Sequence, residues 1–92
     1  MRHFLVHDAR DNVGVAVVDV EAGQTVTGTS LDRGQSLQLT ARQPIPLGHK
    51  LALKDLKVGD TVIKYGEDIG KVVADIRAGE HVHVHNLKTK RW

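Results

Sequence analysis

Asp19-Val20-Glu21-Ala22-Gly23-Gln24-Thr25-Val26 returns as Asp55-Leu56-Lys57-Val58-Gly59-Asp60-Thr61-Val62, and again as Asp75-Ile76-Arg77-Ala78-Gly79-Glu80-His81-Val82. A fourth, degenerate copy reads Pro44-Ile45-Pro46-Leu47-Gly48-His49-Lys50-Leu51. Each copy sets an apolar residue, two intervening positions, a glycine, two further positions and a second apolar residue. That order describes a corner. The first apolar residue anchors the end of one segment, and the glycine takes a positive φ that other residues adopt only at a cost. A new strand then starts, with its first inward residue closing the copy. The glycines stand 25, 11 and 20 residues apart, too irregular for a solenoid with its fixed period. The sequence therefore predicts an all-β domain whose chain folds over on itself at similar corners.

Between the corners lie short strand signals over 4–7, 13–18, 25–29, 36–41, 50–53, 61–65, 70–74 and 81–87. Asp32-Arg33-Gly34-Gln35 supplies a turn, and Leu37 and Leu39 point to one side of the strand that follows it. Val15 and Val17 alternate with Ala16 and Val18, which predicts a strand covered on both faces. A short helix over 11–19 is the competing reading, and its valines argue against it.

Composition limits the function. Ninety-two residues form one domain, 1–92, with a modest core. The absence of cysteine excludes a disulfide framework and a thiolate metal site. No apolar run is long enough to span a membrane. The opening Met1 to Val6 meets His7 and Asp8 too early for a signal peptide, so the cytoplasm is expected. A net charge of +2, with basic residues gathered only at Lys88, Lys90 and Arg91, is too little to imply a nucleic-acid partner.

His81, His83 and His85 alternate with Val82 and Val84. On a strand the three imidazoles share one face and the valines bury on the other. Neutral imidazole suits zinc, iron, copper or nickel, so this row is a candidate metal site; a solvated polar edge is the alternative. His49 and Lys50 follow the glycine of the degenerate corner and are candidates for the same site. Lys64 beside Tyr65, the only tyrosine, could hold a carboxylate; packing of Tyr65 is the reading that competes with it and is favoured. His3 and His7 have no evident partners. No nucleophile with its base, phosphate loop or zinc-protease helix is visible. A domain this small also has little room for an enclosing pocket, which predicts a second polypeptide.

Pro46-Leu47-Gly48-His49-Lys50-Leu51-Ala52-Leu53, Val62-Ile63-Lys64-Tyr65-Gly66, Ile69-Gly70 and Gly79-Glu80-His81-Val82-His83-Val84-His85-Asn86 together resemble the N-terminal SAF domain of altronate and galactarate dehydratases. Asp11-Asn12-Val13 fits the same pattern. The resemblance covers nearly the whole chain and implies a β-clip fold. It implies a lyase performing β-elimination on a hydroxy acid: a hydro-lyase on sugar acids, or a carbon–sulfur lyase on sulfolactate. The implied cofactor is a divalent metal, Fe(II). In some members the domain is fused to a large catalytic region and in others it is a separate small subunit. A chain ending at Trp92, with the tail 86–92, resembles the separate form of the carbon–sulfur lyases. Its expected partners are then a large catalytic lyase subunit and a small hydroxy-acid substrate, with homo-oligomers through strand edges when isolated. Within that frame His81, His83 and His85 are expected as metal ligands, and His49, Lys50 and Lys64 as acid/base or carboxylate-holding groups. A sugar-acid-binding module without chemistry is the alternative that the same resemblance allows.

Overall fold

A computed structural model of the chain describes residues 2–89, and among them there are nine strands and no helix. They are β1 (Phe4–Val6), β2 (Val13–Ala16), β3 (Thr25–Ser30), β4 (Ser36–Thr40), β5 (Lys50–Ala52), β6 (Thr61–Lys64), β7 (Glu67–Val72), β8 (His81–Val82) and β9 (Leu87–Lys88). Six form one sheet in the order β4-β3-β1-β2-β5-β8, and three form a second, β6-β7-β9. Within the larger sheet β1 runs parallel to β3 and antiparallel to β2. The domain is all-β, as the sequence predicts. The basic side chains of Lys90 and Arg91 lie outside the described residues.

The four repeats are corners, and they come in pairs. Their glycines take φ between 84° and 94°. Numbered in chain order, with 44–51 as the second, the first corner bridges to the second through Val20 and Ile45, the third to the fourth through Leu56 and Ile76. Each bridge is closed by two backbone hydrogen bonds of 2.7–2.9 Å. The apolar anchors divide the same way. Val20, Val26, Ile45 and Leu51 enter one core around Phe4, Val6 and Ala16. Leu56, Val62, Ile76 and Val82 enter a second with Val13, Ala52 and Val72. All eight anchors are almost wholly buried, so each repeat ties its strand into one of two adjacent cores.

Aspartates lock the pairs crosswise. Asp19 Oδ1 accepts the N–H of Leu47, Asp55 Oδ1 that of Ala78 and Asp75 Oδ1 that of Val58, each at 2.9 Å. Every one of these carboxylates caps the turn of the partner corner rather than its own.

The two sheets are joined by Asp11 and Asn12. Asn12 treats β6 as a strand partner with its side chain: Nδ2 donates to Thr61 O and Oδ1 accepts from Ile63 N–H, both at 2.8 Å. Buried Asp11 accepts from Gly66 N–H at 2.8 Å and from the His7 and Asp8 N–H groups.

Two expectations need correction. β2 stops at Ala16, because the chain leaves the ladder there to enter the first corner, and Val17 is exposed rather than covered. Strand 81–87 is broken into β8 and β9 by a turn, for the reason given below. The surface also carries open grooves. One of about 560 Å³ runs along Arg42, Asp55, Lys57, Asp75, Arg77 and Glu80, and no histidine lines it.

Candidate metal centre

β5 and β8 pair antiparallel with Lys50 opposite Val82 and Leu51 opposite His81. One step beyond the ladder, His49 therefore meets His83, and their rings stack with centroids 4.4 Å apart. His49 Nδ1 and His81 Nε2 are 2.8 Å apart, a hydrogen bond in which one imidazole carries the shared proton. The His81 and His83 rings are 5.4 Å apart and nearly parallel. One ring nitrogen from each of His49, His81 and His83 lies within 4.8 Å of the others.

The degeneracy of the second corner is what places His49 there. In the other corners the residue after the glycine caps the turn it closes. Gln24 accepts from Glu21 N–H at 3.1 Å, Asp60 from Lys57 N–H at 2.8 Å and Glu80 from Arg77 N–H at 2.6 Å. In the second corner the residue at the donor position is Pro46, which has no N–H to cap. Position 49 is thus released from capping, and an imidazole can stand where the others need an acceptor.

Asn86 places His83. Its Oδ1 accepts from His83 N–H at 2.9 Å and its Nδ2 donates to His81 O at 2.8 Å. The N–H groups of Asn86 and Leu87 both return to His83 O. This buried amide turns the chain over 83–86 and ends β8 after Val82. The strict alternation expected from the sequence fails as a result. Val82 is buried, but Val84 is 65% exposed. His85 is exposed at the margin, its ring 5.5 Å from that of His81 and outside the group of three.

The electrostatics favour neutral rings. Burial holds His81 below the usual imidazole range, and His49, His85, His83 and Lys50 add to the effect. His83 is shifted the same way by burial, then by His49, Lys50 and His85. Lys50, half-buried, is held below the usual lysine range by burial and by the charge of Lys64. Lys64 Nζ sits 5.2 Å from the centre of the Tyr65 ring. Of the sequence candidates, His49, His81 and His83 converge. Lys50 lies within electrostatic reach of His81 and His83, and Lys64 within reach of Lys50.

These residues suit a first-row divalent ion. Metal–imidazole bonds of about 2.1 Å put ligand nitrogens roughly 3 to 3.5 Å apart on one ion, which small ring rotations reach from the observed spacings. Three neutral nitrogens with neither thiolate nor carboxylate fit zinc or iron and leave coordination positions open.

The sequence did not reveal three further roles. His3 Nδ1 accepts from Thr27 N–H at 2.9 Å. His7 stacks on Tyr65 with centroids 3.8 Å apart. Tyr65 is half-exposed and takes φ of 57° in a two-residue hairpin with Gly66. That left-handed geometry is costly for a ring-bearing residue, and no local sequence signal marks it. Asn86, two residues past the last valine, is the visible hint of a strand end.

Asn86→Ala is expected to cost about 1 to 3 kcal/mol in urea unfolding, because it removes a buried amide and leaves two partly buried backbone groups without their partner. It should also weaken Co²⁺ binding by about 10-fold to 100-fold, as removal of an orienting group does. A second expectation concerns pH. The folded chain holds His81 and His83 below the ordinary value of 6.5, so on acidification the unfolded chain takes up protons first. Stability is therefore fully present above about 6.5, falls as pH drops below it, and levels off once the folded rings protonate as well. Urea midpoints measured from about pH 8 down to about pH 5 check this, and the slope should flatten in H81N/H83N.

The chain matches the family model described as the altronate/galactarate dehydratase SAF domain over residues 2–90. It is 61% identical over 90 residues to the (2R)-sulfolactate sulfo-lyase subunit alpha of Chromohalobacter salexigens, covering 97% of this chain and 96% of that one. The protein of the same name from Paracoccus pantotrophus is 69% identical over 55 residues, which are 60% of this chain and 82% of that one. Altronate dehydratase of Escherichia coli is 46% identical over 89 residues, 97% of this chain but only 17% of that enzyme.

Proposed function

The chain belongs to the altronate/galactarate dehydratase SAF domain family, and on that premise we propose that it is the small subunit of a metal-dependent lyase, active together with a larger polypeptide. The observation that carries this reading is the convergence of His49, His81 and His83 on one point, in a chain similar over its length to a protein named as a sulfo-lyase subunit. The substrate is a small hydroxy acid, and water or sulfite leaves in a β-elimination. Resemblance to the sulfo-lyase subunits favours sulfolactate over sugar acids. Among the described residues no helix is long and apolar enough to cross a membrane.

His49, His81 and His83 would hold the ion, Fe(II) by family resemblance. When bound, it supplies Lewis-acid polarisation of a carboxylate and its neighbouring hydroxyl, which eases loss of the proton on the carbon between them. The remaining work falls to side chains. Lys50 and Lys64 repel one another, a conflict that the carboxylate of a bound substrate relieves, so both steady that group. His85, exposed beside the triad, is free to exchange a proton with the substrate or with the departing group. Relative to the sequence expectation, His49 exchanges places with His85: the former is the ligand and the latter the proton carrier.

The test is reconstitution with the companion subunit of the Chromohalobacter relative. Sulfite release from sulfolactate and dehydration of altronate and galactarate are each followed before and after chelation. Activity that needs both polypeptides and returns on adding Fe²⁺ is expected. Full turnover of a hydroxy acid by this chain alone would overturn the reading.

A further inference from the structure

We infer that Leu47, Val84 and Val17 form an apolar rim on which the larger lyase polypeptide closes over the histidine cluster; this rests on the small-subunit reading above. Three separate segments bring these residues to one end of the β5–β8 ladder. Leu47 precedes Gly48 and His49, and Val84 follows His83, the ring that stacks on His49. Val17 follows Ala16, whose N–H donates to His49 O at 2.9 Å and whose carbonyl accepts from Gly48 N–H at 2.8 Å. Leu47 is 61% exposed, Val84 65% and Val17 38%.

Single exposed apolar residues are ordinary, and the fold supplies its own comparison. Val58 occupies the position in the third corner that Leu47 holds in the second, with the same exposure of 61%. It lies on the corner into which β5 runs, at the other end of the ladder from His49 and His83. An exposed corner tip alone therefore signifies nothing. Three exposed apolar residues on segments that adjoin His49 and His83 do, since exposed apolar residues gathered beside a polar site mark a surface that something covers.

What covers it follows from the relatives and from charge. In the Escherichia coli altronate dehydratase this segment is 17% of one polypeptide, so the same fold there adjoins a far longer chain. The triad offers three nitrogens and no carboxylate, and Lys50 and Lys64 add positive charge beside it. The complementary surface is apolar and carries acidic side chains, which supply the oxygen donors that the histidines leave unfilled.

The experiment compares the wild-type chain with L47D, V84D, L47D/V84D and the control V58D. Calorimetry measures binding to the companion subunit of the Chromohalobacter relative, and thermal midpoints and Co²⁺ titration of each variant monitor fold and triad. L47D and V84D should each weaken assembly at least about 10-fold, V58D less than about 2-fold, with Co²⁺ affinity within about 2-fold throughout. Assembly of L47D/V84D as tight as wild type, or a loss matched by V58D, overturns the rim. So does a wild-type homodimer that L47D/V84D dissolves without affecting assembly, since the occupant is then a second copy. Wild-type chain that does not bind the companion at all overturns the small-subunit reading itself.

Discussion

His81→Ala is expected to lower Co²⁺ affinity by at least about 100-fold, the largest functional effect of any single change in the chain. His81 is the hub of the cluster: its Nε2 is 2.8 Å from His49 Nδ1, and its ring lies 5.4 Å from that of His83 and 5.5 Å from that of His85. Its loss leaves only His49 and His83 of the three ligand nitrogens. The fold should persist, because the backbone N–H of His81 is held by Gln43 Oε1 and its carbonyl by Asn86. His85→Ala, outside the group of three, should change Co²⁺ affinity less than about 3-fold, although it should slow the reconstituted enzyme by about 100-fold if it carries the proton. Equal Co²⁺ binding by wild type and His81→Ala, in titrations followed by absorption, would remove this triad as the metal centre.

The largest effect on stability is expected from Gly79→Ala. A Cβ at this position would lie 2.1 Å from the carbonyl oxygen of Thr40, at φ of +87°. The obstacle is backbone on a crowded face, for Gly79 N–H donates to Ala52 O and Gly79 O accepts from Arg42 N–H. Neither side can yield without opening the fourth corner. The expected loss exceeds about 3 kcal/mol, a large share of what a domain of this size has. Gly48→Ala is the informative comparison. It shares nearly the same φ, +85°, but nothing lies within 4 Å of the added carbon, so only the left-handed backbone costs, about 1 to 2 kcal/mol. Urea denaturation of the two variants separates conformational from steric cost, and equal losses would refute the crowding argument.

The corners were legible because one glycine between two spaced apolar residues is a local signal, and its geometry is decided within eight residues. Their pairing was not, because Asp19, Asp55 and Asp75 act across 28, 23 and 17 residues, and three surface aspartates before a turn look like ordinary loop residues. The histidines were legible as a group, but not their division. Strict alternation predicts one continuous strand with Val84 inside; the amide of Asn86 breaks that strand, and a single asparagine at a strand end does not announce two backbone hydrogen bonds. Pro46 was readable in principle. It removes the donor that the residue after the glycine otherwise caps, which is why the least faithful copy of the repeat is the one that bears a functional candidate.

The crosswise aspartate caps also bear on how the chain reaches this shape. A corner whose turn is also held by a carboxylate 17 to 28 residues away would lack that second cap in a peptide carrying one copy. Closing such loops costs entropy before any contact rewards it, and proteins dominated by remote pairing fold in milliseconds to seconds rather than microseconds. During synthesis the third corner therefore waits for Asp75 to emerge, and the imidazole cluster waits for the final corner to bring His81 and His83 to β5.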